Sequence, residues 1–387
     1  MAYDLLIKGG ILVDPAQNLH ERKDVAFSQG SVAAVENNIS PNESRETVQA
    51  DGHLVTPGLI DLHVHVFPGV SHFGIDPDTT CLSRGATTVV DAGSAGADTF
   101  PGFRKYVIEI SDTRILAQLN ISSQGMLSAD IGEFEIPEYA NVEKALAMIE
   151  DNRDLILGIK VRLTRGSIVS ERSGMTPLHK AREAADAAGL PIMIHPQDAW
   201  CDSIDDILNV MKRGDILTHC YHGSRCGIMD GGGRIRDSVF DALERGIVFD
   251  VGHGAGSFNW KTVESAMEQG VLPTSISSDL HIYNVDGPVY DLASVVTKFL
   301  HLGMSLDDAL SRVTNVPADI IHMPGQIGTL APGSWGDAVV FELRTGTYQL
   351  DDSSGESRTG SHRLVPLMVI KSGSVYRNHN QAIDDRN

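Results

Sequence analysis

The feature that most restricts the fold is a rhythm in the middle of the chain: short, largely apolar runs, each followed by a helix-like stretch. The runs are GLIDLHV, ATTVVDAG, RILAQLNIS, ILGIKVRL, PIMIHPQ, DILTHCY, IVFDVGHG and TSISSDLH. Near-continuous apolar strands alternating with helices imply a parallel sheet buried under helices. Eight such units make a closed (β/α)8 TIM barrel more natural than an open sheet. A helix is expected over residues 177–188, where Ala and charged residues alternate with apolar ones and Gly189 supplies a stop.

The two ends have a different texture. Residues 1–55 read as short strands punctuated by Gly-Gly, Gln-Gly and Asp-Gly, and the segments GDAVVFEL and VPLMVIKSGSVYR repeat that pattern late in the chain. The expected organisation of this α/β protein is a small β-sandwich domain assembled from residues 1–55 and 325–378, a catalytic barrel over 56–324, and a flexible polar tail over 379–387. Residues 353–361, rich in Ser and Gly, read as a loop between strands, away from the chemistry.

A chain of 387 residues buries enough apolar surface to need no disulfide staples. Its cysteines, Cys81, Cys201, Cys220 and Cys226, form no CxxC pair, and the start of the chain lacks a signal-peptide layout, so a reduced cytoplasmic protein is expected. No apolar run approaches the roughly 18–20 residues that span a bilayer. The formal net charge of −20 repels phosphate backbones, and no basic cluster offsets it, which excludes nucleic acid as a partner.

The chemistry is concentrated where the apolar runs end. In DLHVH, strand alternation puts His63 and His65 on one face, where both imidazoles can grip one cation. His195 ends PIMIH, His219 ends DILTH with His222 beyond it, and Asp279 ends TSISSD with His281 beyond it. GIKVRL places Lys160 and Arg162 on one face of the fourth run. A polar residue that terminates an apolar run is costly to bury unpaired, and barrel enzymes place catalytic groups at these strand ends.

This ordered set, together with the TPGLIDLHVH start of the barrel and the PGSWGD segment at 332–337, resembles the binuclear-metal amidohydrolase superfamily over nearly the whole chain. Within it, the DVGHGAGSF segment around His253 is similar to the dihydroorotase-like deacetylases. The resemblance implies two divalent metal ions, zinc being the expected metal. His63, His65 and Asp279 would hold the more buried ion and His195 and His219 the more exposed one, with Lys160 bridging both. A free ammonium cannot bind a cation, so that role requires a carbamate on Lys160. It further implies a metal-bridging hydroxide as nucleophile, Asp279 as the catalytic proton carrier, and a homo-oligomer.

The expected substrate is a small carboxylate-bearing molecule with an acyl group, acetyl in the leading reading, on an amide or ester. Arg162, Arg165, His253 and His281 are the candidate substrate contacts, and Arg172 lies on the same long loop as Arg165. For His222 a supporting role and a substrate contact weigh equally, while Cys220 and Cys226 read as packing residues. A cyclic amide hydrolase of the dihydroorotase or hydantoinase type would use the same ligands. A non-catalytic scaffold would be expected to have lost ligands, and none is missing.

Overall fold

Full burial on both faces accounts for the unbroken apolar runs. The computed structural model describes residues 1–377, and the tail expected over 379–387 lies outside the described residues. Seven strands form one parallel sheet in sequence order: β8 (Leu59–Val64), β9 (Ala86–Gly96), β10 (Arg114–Asn120), β11 (Ile156–Arg162), β12 (Ile192–His195), β13 (Ile216–Leu217) and β14 (Val248–Phe249). Every residue of β8 and β9 is buried.

The eighth run does not form a regular strand, which corrects the expectation for TSISSDLH. It closes the barrel instead through single bridges, Ser275 to Asp250 and Leu280 to Val64. Asp279 N–H donates to the His63 carbonyl at 2.7 Å and His65 N–H to the Leu280 carbonyl at 3.0 Å. The cause lies in the residues themselves. The hydroxyls of Ser275 and Ser277 bond to the Asp250 carboxylate and that of Ser278 to Asp61, and Asp279 has φ +50°, which breaks the extended ladder.

Local signals set the helices around the barrel. Thr176–Ala188 ends at Gly189 in the left-handed region, φ +68°. Asn141 caps Val142–Asp151 and Asp291 caps Leu292–His301. Leu292–His301 is buried over nearly its whole length, because a strand from the terminal domain covers the side that would otherwise face water.

That domain takes strands from both ends of the chain. β1 (Tyr3–Lys8), β4 (Asp24–Ser28), β5 (Ser31–Glu36) and β6 (Ser44–Gln49) form one sheet. β2 (Ile11–Asp14), β3 (Leu19–Arg22), β7 (Leu54–Pro57), β15 (Ala338–Asp351), β16 (Ser357–Lys371) and β17 (Ser374–Val375) form the other. Leu5, Phe27, Val55, Val340 and Ile370 fill a common apolar core. Only Gly58 separates β7 from β8, and a Cβ there would lie 2.2 Å from Thr87 Oγ1. The PGSWGD segment is a clamp at this junction: the Asp337 carboxylate accepts from Arg114 on β10 at 2.7 Å, Lys371 on β16 at 3.0 Å and Ser372 N–H at 2.9 Å.

The Ser- and Gly-rich stretch at 353–361 is only partly a loop, since Ser357 onward belongs to β16. Its tip docks on the barrel: Ser353 N–H donates to the Phe258 carbonyl at 3.0 Å, and Trp260 N–H to Asp352 Oδ2 at 3.1 Å. Among the described residues no helix is long and apolar enough to cross a membrane.

Candidate metal centre

Four histidines reach the mouth of the barrel, and in each a hydrogen bond to one ring nitrogen fixes which nitrogen is left with a lone pair. His63 Nδ1 lies 2.8 Å from Thr218 Oγ1. The Thr218 hydroxyl donates to Asp250 Oδ2 at 2.8 Å, so its oxygen accepts and His63 Nδ1 carries the proton. His65 Nδ1 lies 3.0 Å from Ser94 Oγ, and Ser94 N–H donates to Asp91 Oδ1 at 2.7 Å. His219 Nδ1 donates to the Gly252 carbonyl at 2.6 Å.

His195 is turned the other way. Its Nε2 lies 3.0 Å from Thr164 Oγ1, whose hydroxyl donates to the Gln197 carbonyl. Burial holds all four imidazoles below the ordinary histidine range, so they are neutral near pH 7. The free lone pairs are Nε2 of His63, His65 and His219 and Nδ1 of His195.

Two of these lone pairs face a carboxylate. Asp279 Oδ1 lies 3.3 Å from His63 Nε2 and 3.2 Å from His65 Nε2, is buried, and receives no hydrogen bond. Acceptor meets acceptor in a space shielded from water, an arrangement that a cation between them relieves. One ligand atom each from His63, His65 and Asp279 all lie within 4.8 Å of one another, so these residues fit a divalent metal. His219 adjoins them, its ring 4.9 Å from that of His63 and 4.4 Å from that of His195. Asp279 and His219 both take positive φ, +50° and +60°, a strain of order 1–3 kcal/mol each that is characteristic of functional sites.

Lys160 completes the cluster from β11. It is fully buried, with Nζ 3.3 Å from His63 Nε2 and 3.4 Å from Met193 Sδ. Burial lowers its ammonium to about 7, with Arg162 adding and Asp279 opposing. Gly93 makes the room: its φ is +85°, and a Cβ there would sit 2.6 Å from Lys160 Cβ.

The sequence model of the amidohydrolase family matches residues 54–375. The chain belongs to the amidohydrolase family. A deacetylase from Enterococcus faecalis is 34% identical over 98% of this chain and 100% of its own length. Among solved structures, an adenine deaminase superposes with a TM-score of 0.88 at 33% identity, covering 97% of this chain and 100% of the other. A dihydroorotase does so with 0.85 at 31%, covering 96% and 98%. The superfamily resemblance drawn from the ordered ligands is thereby borne out, and the chain is a hydrolase.

Around this candidate centre of the amidohydrolase chain the remaining sequence candidates separate. Arg162 stays at the mouth: its Nη1 donates to Glu133 Oε1 at 2.8 Å, its guanidinium lies 5.1 Å from the Phe73 ring, and its side chain is 12% exposed. Glu133 is buried and takes a second donor, Asn120 Nδ2, at 2.8 Å. Phe73 stacks on His65 at 5.2 Å and lies 4.6 Å from His281. His281 is buried 6.2 Å from His65, with Nδ1 accepting from Tyr283 N–H.

His253 sits one layer away. Its Nδ1 donates to the Gly254 carbonyl and its Nε2 accepts from Lys298 at 2.7 Å. Lys298 also donates to the carbonyls of Pro288 and Asp351, the latter at the hairpin tip. Arg165 lies over Trp200 at 5.9 Å, in a cavity lined by none of the metal-site residues. Arg172 is exposed beside Glu138, and His222 is buried with Nδ1 3.3 Å from Ser224 Oγ. Sequence reasoning missed Thr218, Asp250, Ser94, Glu133, Phe73 and Lys298. Lys298 alone carried a signal, as a lysine inside the apolar helix run LASVVTKFLH.

Proposed function

We propose that the enzyme removes an acyl group, acetyl in the leading case, from the nitrogen or oxygen of a small molecule that also carries a carboxylate. The observation that carries this reading is the pairing at one mouth of a proton-accepting carboxylate, Asp279 Oδ1, which receives no hydrogen bond, with a cation, Arg162, that Glu133 only partly occupies. The deacetylase relative, similar over essentially the whole chain, supports it.

In this reading His63, His65 and Asp279 would hold one divalent ion and His195 and His219 a second, with Lys160, as a carbamate, supplying anionic oxygens to them and zinc as the metal. A neutral amine attacks carbon dioxide, and an ammonium brought down to about 7 by burial provides that amine near neutrality. Bound divalent ions polarise the acyl oxygen and acidify water. Asp279 accepts the proton of the attacking water and returns it to the departing nitrogen or oxygen. Arg162 fixes the substrate carboxylate through its remaining N–H groups, and Phe73 shields the reacting carbon from solvent.

The similarity to a solved dihydroorotase favours a second reading, hydrolysis of a cyclic amide by the same groups. A hydrolysis screen of metal-loaded protein separates the two. N-acetyl amino acids and O-acetyl hydroxy acids form one arm, and dihydroorotate, hydantoins and other cyclic amides the other. Turnover confined to the linear compounds is expected; turnover confined to the rings replaces the acyl reading.

A further inference from the structure

Outside the metal centre, two cysteines distant in sequence meet at the barrel mouth. Cys201 lies on the loop after β12 and Cys226 on the loop after β13, and their Sγ atoms are 3.1 Å apart. We propose that Cys201 and Cys226 form a redox-active dithiol, which hydroperoxides convert to a disulfide joining the two loops. A disulfide bond measures about 2.05 Å, so closure needs only about 1 Å of sulfur movement. The backbone there is already set: Asp198 N–H donates to the Arg225 carbonyl at 3.2 Å, and Arg225 N–H to Asp198 Oδ1 at 3.2 Å.

Both cysteines border open space. A cavity of about 590 Å³ borders Cys201, and one of about 410 Å³ borders Cys226, with Arg225 lining both. The hydrogen bond with Cys201 lowers the Cys226 thiol, and Arg225 adds to this. Arg225 precedes Cys226 in the chain and borders both cavities, which places a cation beside that sulfur and makes Cys226 the nucleophile and Cys201 the resolving partner. Cys81 and Cys220 line neither cavity, and burial pushes both thiols up, which makes the pair selective.

The Cys226 thiolate attacks one peroxide oxygen. The O–O bond breaks, water or an alcohol leaves, and a sulfenic acid forms. Cys201 then attacks that sulfur, forming the S–S bond and expelling water, so two thiols are oxidised as one peroxide is reduced. The bond would tie together the loops that follow His195 and His219.

The test exposes the full-length, metal-loaded protein to hydrogen peroxide and maps its peptides without reduction. Expected is one cross-linked peptide containing Cys201 and Cys226, reversed by dithiothreitol, with Cys81 and Cys220 still alkylatable after unfolding. In Cys201→Ser, Cys226 should halt as a sulfenic acid that dimedone traps. Two free thiols after peroxide has oxidised a simple dithiol control, or pairing of either cysteine with Cys81 or Cys220, overturns the proposal.

Discussion

The hydroxyl of Thr218 donates to the carboxylate of Asp250 at 2.8 Å, and this single bond decides which nitrogen of His63 is free for a metal. Asp250 is fully buried and also accepts from Ser275 and Ser277. It thereby links β13, the end of β14 and the irregular eighth segment, and passes that order to the ligand. Such supporting contacts typically change metal affinity by about 10–100-fold. Thr218→Val and Asp250→Asn should each weaken zinc binding by that factor in a competition titration, and the double variant should be no worse than the poorer single one. Wild-type affinity in both variants would remove the relay from the site.

In the proposed reaction Asp279 carries the proton. General acid–base groups contribute about 10²–10⁴-fold to rate, so Asp279→Asn should lose kcat on that scale while metal analysis still finds ions at the histidines. Near-normal kcat would transfer the proton role to another group.

Arg162 is expected to recognise the substrate's charge. A hydrogen bond to a charged group is worth about 1.5–3 kcal/mol, equivalent to roughly ten- to a hundredfold in KM. Because Arg162→Met alone would leave the buried Glu133 carboxylate without its cation, the better comparison is Arg162→Met with Glu133→Gln. That pair should raise KM for carboxylate-bearing acyl compounds and leave neutral acyl esters unchanged. An equal rise for both would remove the anchor.

The metal-free protein should lose stability as pH falls below about 6.5, the unfolded histidine pKa. His63, His65, His195, His219, His222, His253 and His281 are all held below their ordinary range by burial. Below that pH the unfolded chain therefore binds protons that the folded chain refuses, and each such group removes about 1.4 kcal/mol per pH unit. Asp61, Asp91 and Asp250 oppose this, because burial raises them, but three carboxyls are outnumbered by seven imidazoles. The Tm of chelated protein should fall steeply between pH 7 and pH 5; a flat or rising Tm contradicts the neutral tautomers assigned to the ligands.

The candidate ligands were legible because His195, His219 and Asp279 each end an apolar run, a placement with few structural uses. His63 and His65 follow from alternation along β8, and Lys160 and Arg162 share a face of β11 for the same reason. Their supports were not legible. Thr218, Ser94 and Thr164 are common residues whose roles arise only when neighbouring strands are in register. Glu133 reaches Arg162 from a loop that no periodicity marks. The eighth strand was misjudged because TSISSD satisfies its polar groups through side chains, and the Cys201–Cys226 approach depends on two loops folding back toward each other.

The most direct test of the site is stepwise return of zinc to chelated protein while acyl hydrolysis is followed. Activity should be absent without metal, rise in proportion to added ion and break at two ions per chain, with the second ion lost when His195 and His219 are replaced. Full turnover of a protein shown by elemental analysis to hold no metal would contradict it.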